Sequence, residues 1–412
     1  MNDMTPPVGK GAPIEFNPLD PAFIADPYPF YRQLREAAPV FKAQQGFWLL
    51  TRYEDVAFSL RDKRFGKDFV GNMQRRYGDT GRMDEPAVAS LARTMLVQDP
   101  PDHTRLRGLV TKAFTARRVA DMRPRIKALV DEQLDRVAGK GEMDVMRDLA
   151  HRLPVIVICD LLGIPEEHRA PFLAGSNVNG RILEPVPMSR EELDQANFNT
   201  QAAGLYFRQL CDLRRRDPQD DLTTELVRAE EAGDKLSAEE LEANMGLLFG
   251  AGHETTTNLI GNGLLALHRQ RDQWERLKAD PSLIPNAVEE LLRYDSSVQL
   301  TGRVTHADVE IGGVTLGPKE SVIMLLGAAN RDPAQYEDPD RLDVGRANVR
   351  PLSFGGGIHF CLGAQLARLE AELVFAALIE RMPTLELPEK DRPAWRRSFT
   401  LRGLSTLPAV WH

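Results

Sequence analysis

The chain has 412 residues, with 52 lysines and arginines against 60 aspartates and glutamates, so its formal net charge is −8. This ordinary globular composition excludes collagen, coiled-coil and mostly disordered chains, and the mild acidity argues against a nucleic-acid-binding protein, which needs a basic face. No apolar run approaches the roughly 18 residues of a membrane-spanning helix, so we expect no membrane anchor.

The predicted elements describe a mainly α-helical protein with a few small β-sheets. Residues 1–13 are polar and rich in proline and glycine, which predicts a flexible tail ahead of a single domain over residues 14–412. Residues 41–50 predict a hairpin with Gly46 at its turn. Residues 102–291 show apolar positions three and four apart, typical of helices. Residues 309–325 and 398–411 predict short strands, and the glycine- and proline-punctuated segments 65–97 and 174–189 predict mobile lids.

Cysteine is sparse. The chain has Cys159, Cys211 and Cys361, an odd number with no Cys-x-x-Cys pair. The odd count in so long a chain excludes a disulfide scaffold and predicts a reducing, cytoplasmic location. The lack of a Cys-x-x-Cys pair argues against a structural zinc site.

One cysteine has distinctive surroundings. A glycine-rich loop runs from Phe354 to Cys361, with His359 two residues before the cysteine, and a helical stripe of leucines follows. Unpaired backbone N–H groups and the positive dipole end of a helix start lower a thiol pKa, so we expect Cys361 to be a thiolate or a metal ligand. An inert buried cysteine is the alternative. Phosphate-loop spacings are missing from the segment.

A second segment, residues 241–268, predicts a long buried helix that two glycines and three threonines interrupt. Because an interior glycine costs about 1 kcal/mol relative to alanine, we expect a local distortion there. A notch of Ala251 and Gly252 would admit a flat ligand, with the acid Glu254 and the alcohol Thr255 beside it. A helix-packing groove in which threonine bonds back to a carbonyl is the alternative.

Taken together, the two segments resemble the cytochrome P-450 family. The pattern Phe354-x-x-Gly357-x-His359-x-Cys361-x-Gly363 resembles its haem-binding signature, and residues 251–255 resemble its oxygen-activation segment. The resemblance implies the P-450 fold, with haem b between the long helix and the cysteine-loop helix. It implies that Cys361 is the axial thiolate, which favours O–O cleavage. Thr255 and Glu254 would then be the catalytic alcohol and the proton-relaying acid.

The same resemblance assigns further residues. His103, Arg107, Arg303 and His359 would bind the haem propionates, while Phe354 shields the sulfur and Gly363 directs an amide at it. Glu290 and Arg293 would form a buried triad with Arg341, which fixes the segment ahead of the cysteine loop. The substrate pocket is expected to use Met95, Leu96, Leu247, Leu248, Val298, Leu300, Thr400 and Leu401.

The implied activity is hydroxylation of a hydrophobic small molecule, with one oxygen atom of O2 inserted into a C–H bond. Electrons would come from NAD(P)H through a separate ferredoxin and reductase, which dock near Arg105, Lys112 and Arg368. Two alternatives stay open: a peroxide-dependent haem-thiolate peroxygenase, and a non-catalytic haem sensor. The acid–alcohol pair argues against both, because neither needs it.

Overall fold

The computed structural model describes residues 14–78, 80–174, 177–231 and 236–412. Over these ranges the chain is mostly helical with small sheets, which confirms the predicted class. The predicted tail at residues 1–13 lies outside the described residues. In the described part of the chain, no helix has both the length and the apolar character needed to span a membrane.

The helices of the described ranges follow one another along the chain with short connections. In chain order they are α1 (Pro21–Ala25), α2 (Tyr28–Ala37), α3 (Tyr53–Ser59), α4 (Phe69–Tyr77), α5 (Pro86–Ala92), α6 (Asp102–Ala113), α7 (Ala116–Asp121), α8 (Arg123–Ala138), α9 (Arg152–Leu162), α10 (Ala170–Leu173), α11 (Arg190–Arg216), α12 (Leu222–Glu231), α13 (Ala238–Arg269), α14 (Arg271–Ala279), α15 (Ile284–Tyr294), α16 (Leu326–Ala329) and α17 (Ala364–Arg381). Short 3₁₀ turns occur at Glu166–His168, Asn177–Leu183, Pro281–Leu283 and Gly357–His359, and a π turn at Met146–Ala150.

The strands are short. They are β1 (Val40–Lys42), β2 (Trp48–Leu50), β3 (Phe65–Gly66), β4 (Glu142–Asp144), β5 (Leu300–Thr305), β6 (Val309–Ile311), β7 (Val314–Leu316), β8 (Ser321–Leu325), β9 (Ala394–Trp395), β10 (Leu404–Thr406) and β11 (Pro408–Val410). A five-stranded sheet has the order β1-β2-β8-β5-β3, in which only β2 and β8 run parallel. Three two-stranded sheets pair β6 with β7, β9 with β10, and β4 with β11.

The three segments predicted to form strands do so, whereas β3, β4, β5 and β9 lie outside them. The hairpin β1–β2 pairs Val40 with Leu50, and Gly46 in its turn has a φ of +88°, which favours glycine. Residues 309–325 form β6, β7 and β8 as predicted. The segment 65–97 differs, because it contains helices α4 and α5 where we expected irregular lids.

The long helix α13 is the centre of the main core. It begins at a capping box in which the Ser237 hydroxyl accepts from the Glu240 N–H while the Glu240 carboxylate accepts from the Ser237 N–H. It packs against α9, α11, α15 and α17, and these helices share the largest cluster of buried apolar side chains. The helix stays α-helical throughout, so the expected distortion near Gly250 is not present. Packing on several sides stabilises the regular backbone despite its glycines.

Candidate active site

A cavity of about 1530 Å³ opens between α13 and the loop that precedes α17. This volume exceeds the roughly 300–1,000 Å³ of sites for drug-sized ligands, so the cavity has room for a flat cofactor and a second molecule. Cys361 lies in its wall together with Glu254 and Thr255 of α13. The two segments that the sequence singled out, about a hundred residues apart, therefore meet at one site.

The loop before Cys361 has a tight backbone conformation. The Cys361 N–H donates to the Phe354 carbonyl at 2.9 Å, and Gly357 has a φ of +64°. A Cβ at Gly357 would lie 2.3 Å from the Leu60 carbonyl oxygen, so this position requires glycine. Arg107 of α6 braces the loop by donating from Nη2 to the Phe360 carbonyl at 2.6 Å. The loop thus holds the Cys361 side chain toward the cavity.

The surroundings of the Cys361 thiol act on its pKa in both directions. Burial raises its pKa, and this effect outweighs the Gly363 N–H and the positive charges of Arg107 and Arg368, which lower it. The helix α17 begins at Ala364, three residues after the cysteine, so its N-terminal field is weaker at the sulfur than we expected. A thiolate here therefore needs a cation, and a coordinated metal ion supplies one.

The helix α13 turns small and polar residues toward the cavity. Ala251 and Gly252 both line it, but the missing side chain of Gly252 makes room for Ile158 of α9, 3.0 Å from a Cβ placed there. The Thr255 hydroxyl donates to the Ala251 carbonyl at 3.2 Å. This is the back-bond that the packing alternative describes, although Thr255 also lines the cavity.

Glu254 lies in the cavity wall, with 15% of its side chain exposed. Burial raises its pKa to about 7, Arg396 lowers it, and Glu184 raises it. Its neighbour His253, which we expected at the surface or in a water network, is buried, and its Nδ1 bonds the Phe249 carbonyl at 2.8 Å. Burial lowers the pKa of His253 to about 4, so this ring is neutral at pH 7.

Positive and imidazole groups gather at one end of the cavity. The rings of His103 and His359 are in contact, with centroids 4.2 Å apart and planes tilted by 55°. Arg303 is buried, and its Nη1 donates to the Thr301 hydroxyl and the Gly302 carbonyl. Lys67, which the sequence analysis missed, donates to the Gly302 carbonyl at 3.2 Å and is half-buried in the cavity wall. No motif marks this lysine, because it precedes α4 and reaches the site only through the contact of β3 with β5.

These groups fit an anionic ligand. Both ring nitrogens of His103 and Nε2 of His359 are buried without a hydrogen-bond partner among the described residues. Burial lowers the pKa of Arg303 to about 10, and the pKa of Lys67 also falls, with burial the main cause and Arg303 next. Buried donors and cations of this kind are costly unless an anion pairs with them. A cofactor that carries two carboxylates would satisfy that need.

The predicted triad is correct in two members and wrong in the third. Glu290 and Arg293 are fully buried and form a bidentate pair at 2.7 and 2.8 Å. The third guanidinium is that of Arg346, whose Nε lies 3.1 Å from Glu290 Oε1. Arg341 has an exposed side chain and contributes only its backbone carbonyl, which accepts from Arg293 and Arg346. The turn at residues 338–346 directs the Arg341 side chain to solvent, so Arg341 is not a triad member.

The expected pocket residues come together in the cavity wall. All eight line it, namely Met95, Leu96, Leu247, Leu248, Val298, Leu300, Thr400 and Leu401. Val298 and Leu401 are brought side by side by an isolated β-bridge. Of the other expected site residues, Phe354, His359 and Gly363 line the cavity, whereas His103 and Arg303 stand behind its wall.

Comparison with known proteins gives consistent results. A family model for cytochrome P450 matches residues 186–405. Cytochrome P450 107B1 of Saccharopolyspora erythraea is 44% identical over 95% of this chain and 96% of its own length. Vitamin D(3) 25-hydroxylase of Pseudonocardia autotrophica is 43% identical over 94% of each chain. The crystal structure of P450BioI with an acyl carrier protein that bears hexadec-9Z-enoic acid has a TM-score of 0.87 and 38% identity, and covers 95% of this chain and all of its own.

Proposed function

The chain belongs to the cytochrome P450 family of haem-thiolate monooxygenases, and on that basis we propose that it binds haem b through Cys361 and hydroxylates a hydrophobic small molecule with O2. When bound, a haem with a cysteine thiolate ligand supplies the chemistry of O–O bond cleavage. One observation carries the proposal. The Cys361 loop and the Glu254–Thr255 pair line one and the same cavity.

The cofactor is proposed to be held at three places. Cys361 contributes its sulfur, while Phe354 covers the loop and Gly363 contributes an N–H toward the sulfur. His103, Arg107, Arg303 and His359 are proposed to pair with the propionates, and Lys67 joins them. The small side chain of Ala251 in the α13 wall leaves room for a planar ring.

The acid–alcohol pair is proposed to move protons into the cavity. Glu254 takes up a proton from solvent, because its carboxyl has a pKa of about 7 and exchanges readily at neutral pH. Thr255 lines the same cavity, and its hydroxyl passes a proton on and recovers one from the acid. This pair favours the O2-dependent reaction over a peroxygenase or a haem sensor, because neither needs proton delivery.

The substrate is proposed to be a large hydrophobic molecule. The wall opposite Cys361 is built from apolar side chains such as Leu247 and Leu401, and apolar walls select by shape and area rather than by hydrogen bonds. The relatives fit this picture, since one is named a vitamin D(3) hydroxylase and another binds a fatty acid on its carrier protein.

Electrons are proposed to come from NAD(P)H through a ferredoxin and its reductase. Of the expected docking residues, Arg105 pairs with Glu240 and Arg368 pairs with Glu289. Both keep a partly exposed guanidinium and would therefore contribute only modestly to docking. A cytoplasmic location is proposed from the three free cysteines, two of them buried.

The decisive test is spectroscopic. The purified protein is reconstituted with haem, reduced and exposed to carbon monoxide, and a strongly red-shifted Soret band is expected. Cys361→His serves as the matched variant, because it keeps a ligand at the same place but replaces sulfur with nitrogen. A wild-type spectrum identical to that of the histidine variant would contradict thiolate ligation. Substrate classes are then screened by the spin-state change of the ferric protein.

A further inference from the structure

The residue that holds Glu254 comes from the far end of the chain. Arg396 follows β9 directly, and its Nη1 lies 3.3 Å from Glu254 Oε1. Its Nη2 donates to Asn258 Oδ1 at 2.8 Å. Because residues 254 and 258 are one helical turn apart, they project from the same face of α13. A single guanidinium therefore bridges two successive turns of the helix at the acid.

The Arg396 guanidinium is itself held in place. Its Nε donates to the Leu404 carbonyl at 3.0 Å, and its backbone N–H donates to the Gly403 carbonyl at 2.9 Å. A Cβ at Gly403 would lie 2.1 Å from Asn258 Oδ1, so the strand reaches α13 only because residue 403 is glycine. Because the Leu404 carbonyl, Asn258 and Glu254 all contact the planar guanidinium of Arg396, it has little freedom to move away from Glu254.

The surroundings of Glu254 leave Arg396 as the group that favours its charged form. Gly180 lies near the other carboxylate oxygen, since a Cβ placed there would be 3.3 Å from Glu254 Oε2. A glycine brings no charge to the carboxylate. Glu184 acts in the opposite direction, since a second negative charge favours the protonated acid. His253 is buried and His151 is half-buried, and burial lowers the pKa of both rings.

We propose that Arg396 is a positioning residue: it fixes the Glu254 carboxylate against the C-terminal segment and holds it charged until a proton arrives. The arriving proton neutralises the carboxylate and removes its attraction to the guanidinium. The neutral acid is then free to turn toward Thr255 and pass the proton on, after which the restored carboxylate returns to Arg396. This inference rests on the proposed role of Glu254 as the proton relay.

Infrared titration of the ferric holoprotein tests the inference without turnover. The band of protonated Glu254 is the carboxyl band that is missing in Glu254→Gln. In Arg396→Gln we expect its pH midpoint to rise by about one pH unit, because an opposite charge this close lowers a carboxyl pKa by about 1–3. The control is Arg397→Gln, an exposed arginine next in the chain, and its midpoint is expected to match the wild type. An unmoved midpoint in Arg396→Gln overturns the proposal.

Two more variants separate position from charge. Arg396→Lys keeps the charge but loses the fork, so we expect a wild-type midpoint and about tenfold less product per NAD(P)H consumed. Asn258→Ala removes the side chain that accepts from Arg396 Nη2, so we expect the pH midpoint of Glu254 to rise by less than in Arg396→Gln. If Arg396→Gln does not fold, the midpoint of Asn258→Ala decides whether the proposal holds. Full coupling in Arg396→Lys, or an unmoved midpoint in Asn258→Ala, contradicts positioning.

Failure of the proposed function and failure of the Arg396 proposal can be told apart by experiment. Without a thiolate-type spectrum in the wild type, the haem-thiolate assignment falls, although the Glu254 midpoint still reports on Arg396. If the spectrum is normal and Glu254→Gln retains full coupling, the relay role falls. If the relay holds and only the Arg396 variants behave as the wild type, the positioning role alone is overturned.

Discussion

Arg346, rather than Arg341, is the third member of the buried triad, so substitutions at these two positions should differ strongly in their effect on stability. Arg346 has 12% of its side chain exposed and bonds Glu290 Oε1, and it also donates to the carbonyls of Glu337 and Asp338 at 2.6 and 3.2 Å. In Arg346→Ala these partners lose their donor, and the fully buried Glu290 keeps only Arg293 and the Asp343 N–H.

Removing one member of a buried charge cluster costs about 3–5 kcal/mol. We expect about 3 kcal/mol for Arg346→Ala, at the lower end, because Arg293 still compensates Glu290. The matched control is Arg341→Ala, which should cost less than about 0.5 kcal/mol, because its side chain is exposed and its bonding carbonyl survives the substitution.

Urea unfolding followed by circular dichroism gives the free energy for both variants. The ratio of haem absorbance to protein absorbance gives their cofactor content. We expect Arg346→Ala to lose haem as well, since the triad fixes the segment that leads to the cysteine loop. Equal destabilisation by the two variants, or a larger loss in Arg341→Ala, would refute the reasoning.

Three further predictions concern the acid–alcohol pair, the cysteine loop and a buried carboxyl. Glu254→Gln and Thr255→Ala should each reduce product formed per O2 by about 100-fold, with an unchanged carbon monoxide spectrum. In the wild type, the product formed per O2 should fall as pH rises through about 7, because the raised pKa keeps Glu254 protonated below that pH. A product yield per O2 that does not change with pH would contradict this. Gly357→Ala should cost more than about 1 kcal/mol and weaken haem binding, since its Cβ would lie 2.3 Å from the Leu60 carbonyl at a φ of +64°, and thermal melts with haem titration would measure both. Burial raises the pKa of Glu370, whose two oxygens have no partner among the described residues, well above normal, so stability should fall as pH rises above the unfolded pKa. Glu370→Gln should remove this slope in urea unfolding at pH 5 and pH 8, and a parallel slope in both proteins would show that Glu370 is not its origin.

Much of the candidate site was predictable because its signals are local. The glycines before Cys361 and the small residues before Glu254 lie within ten positions of the residue they serve. Backbone torsion is a local property, so a glycine such as Gly357, with a φ of +64°, can be recognised from the residues next to it. The pocket residues could also be proposed as a group, because the resemblance to the family aligns their segments with its own.

The remaining site residues depend on contacts between distant parts of the chain. Lys67 reaches the cation cluster across the β3–β5 pairing, and Arg396 reaches Glu254 across 142 residues. Nothing in their own neighbourhoods distinguishes them from surface cations. The raised pKa of the Cys361 thiol has a related origin, because the burial that raises it is supplied by the packed cavity.

By itself the sequence determined the fold class, the family and the two segments that carry the chemistry, because short-range backbone geometry and helical periodicity are encoded in consecutive residues. Only the tertiary structure decided which of two nearby arginines pairs with Glu290 and which cation pairs with Glu254. Those outcomes depend on side-chain direction, burial and the distance between charges, and these quantities exist only after the helices and sheets have packed.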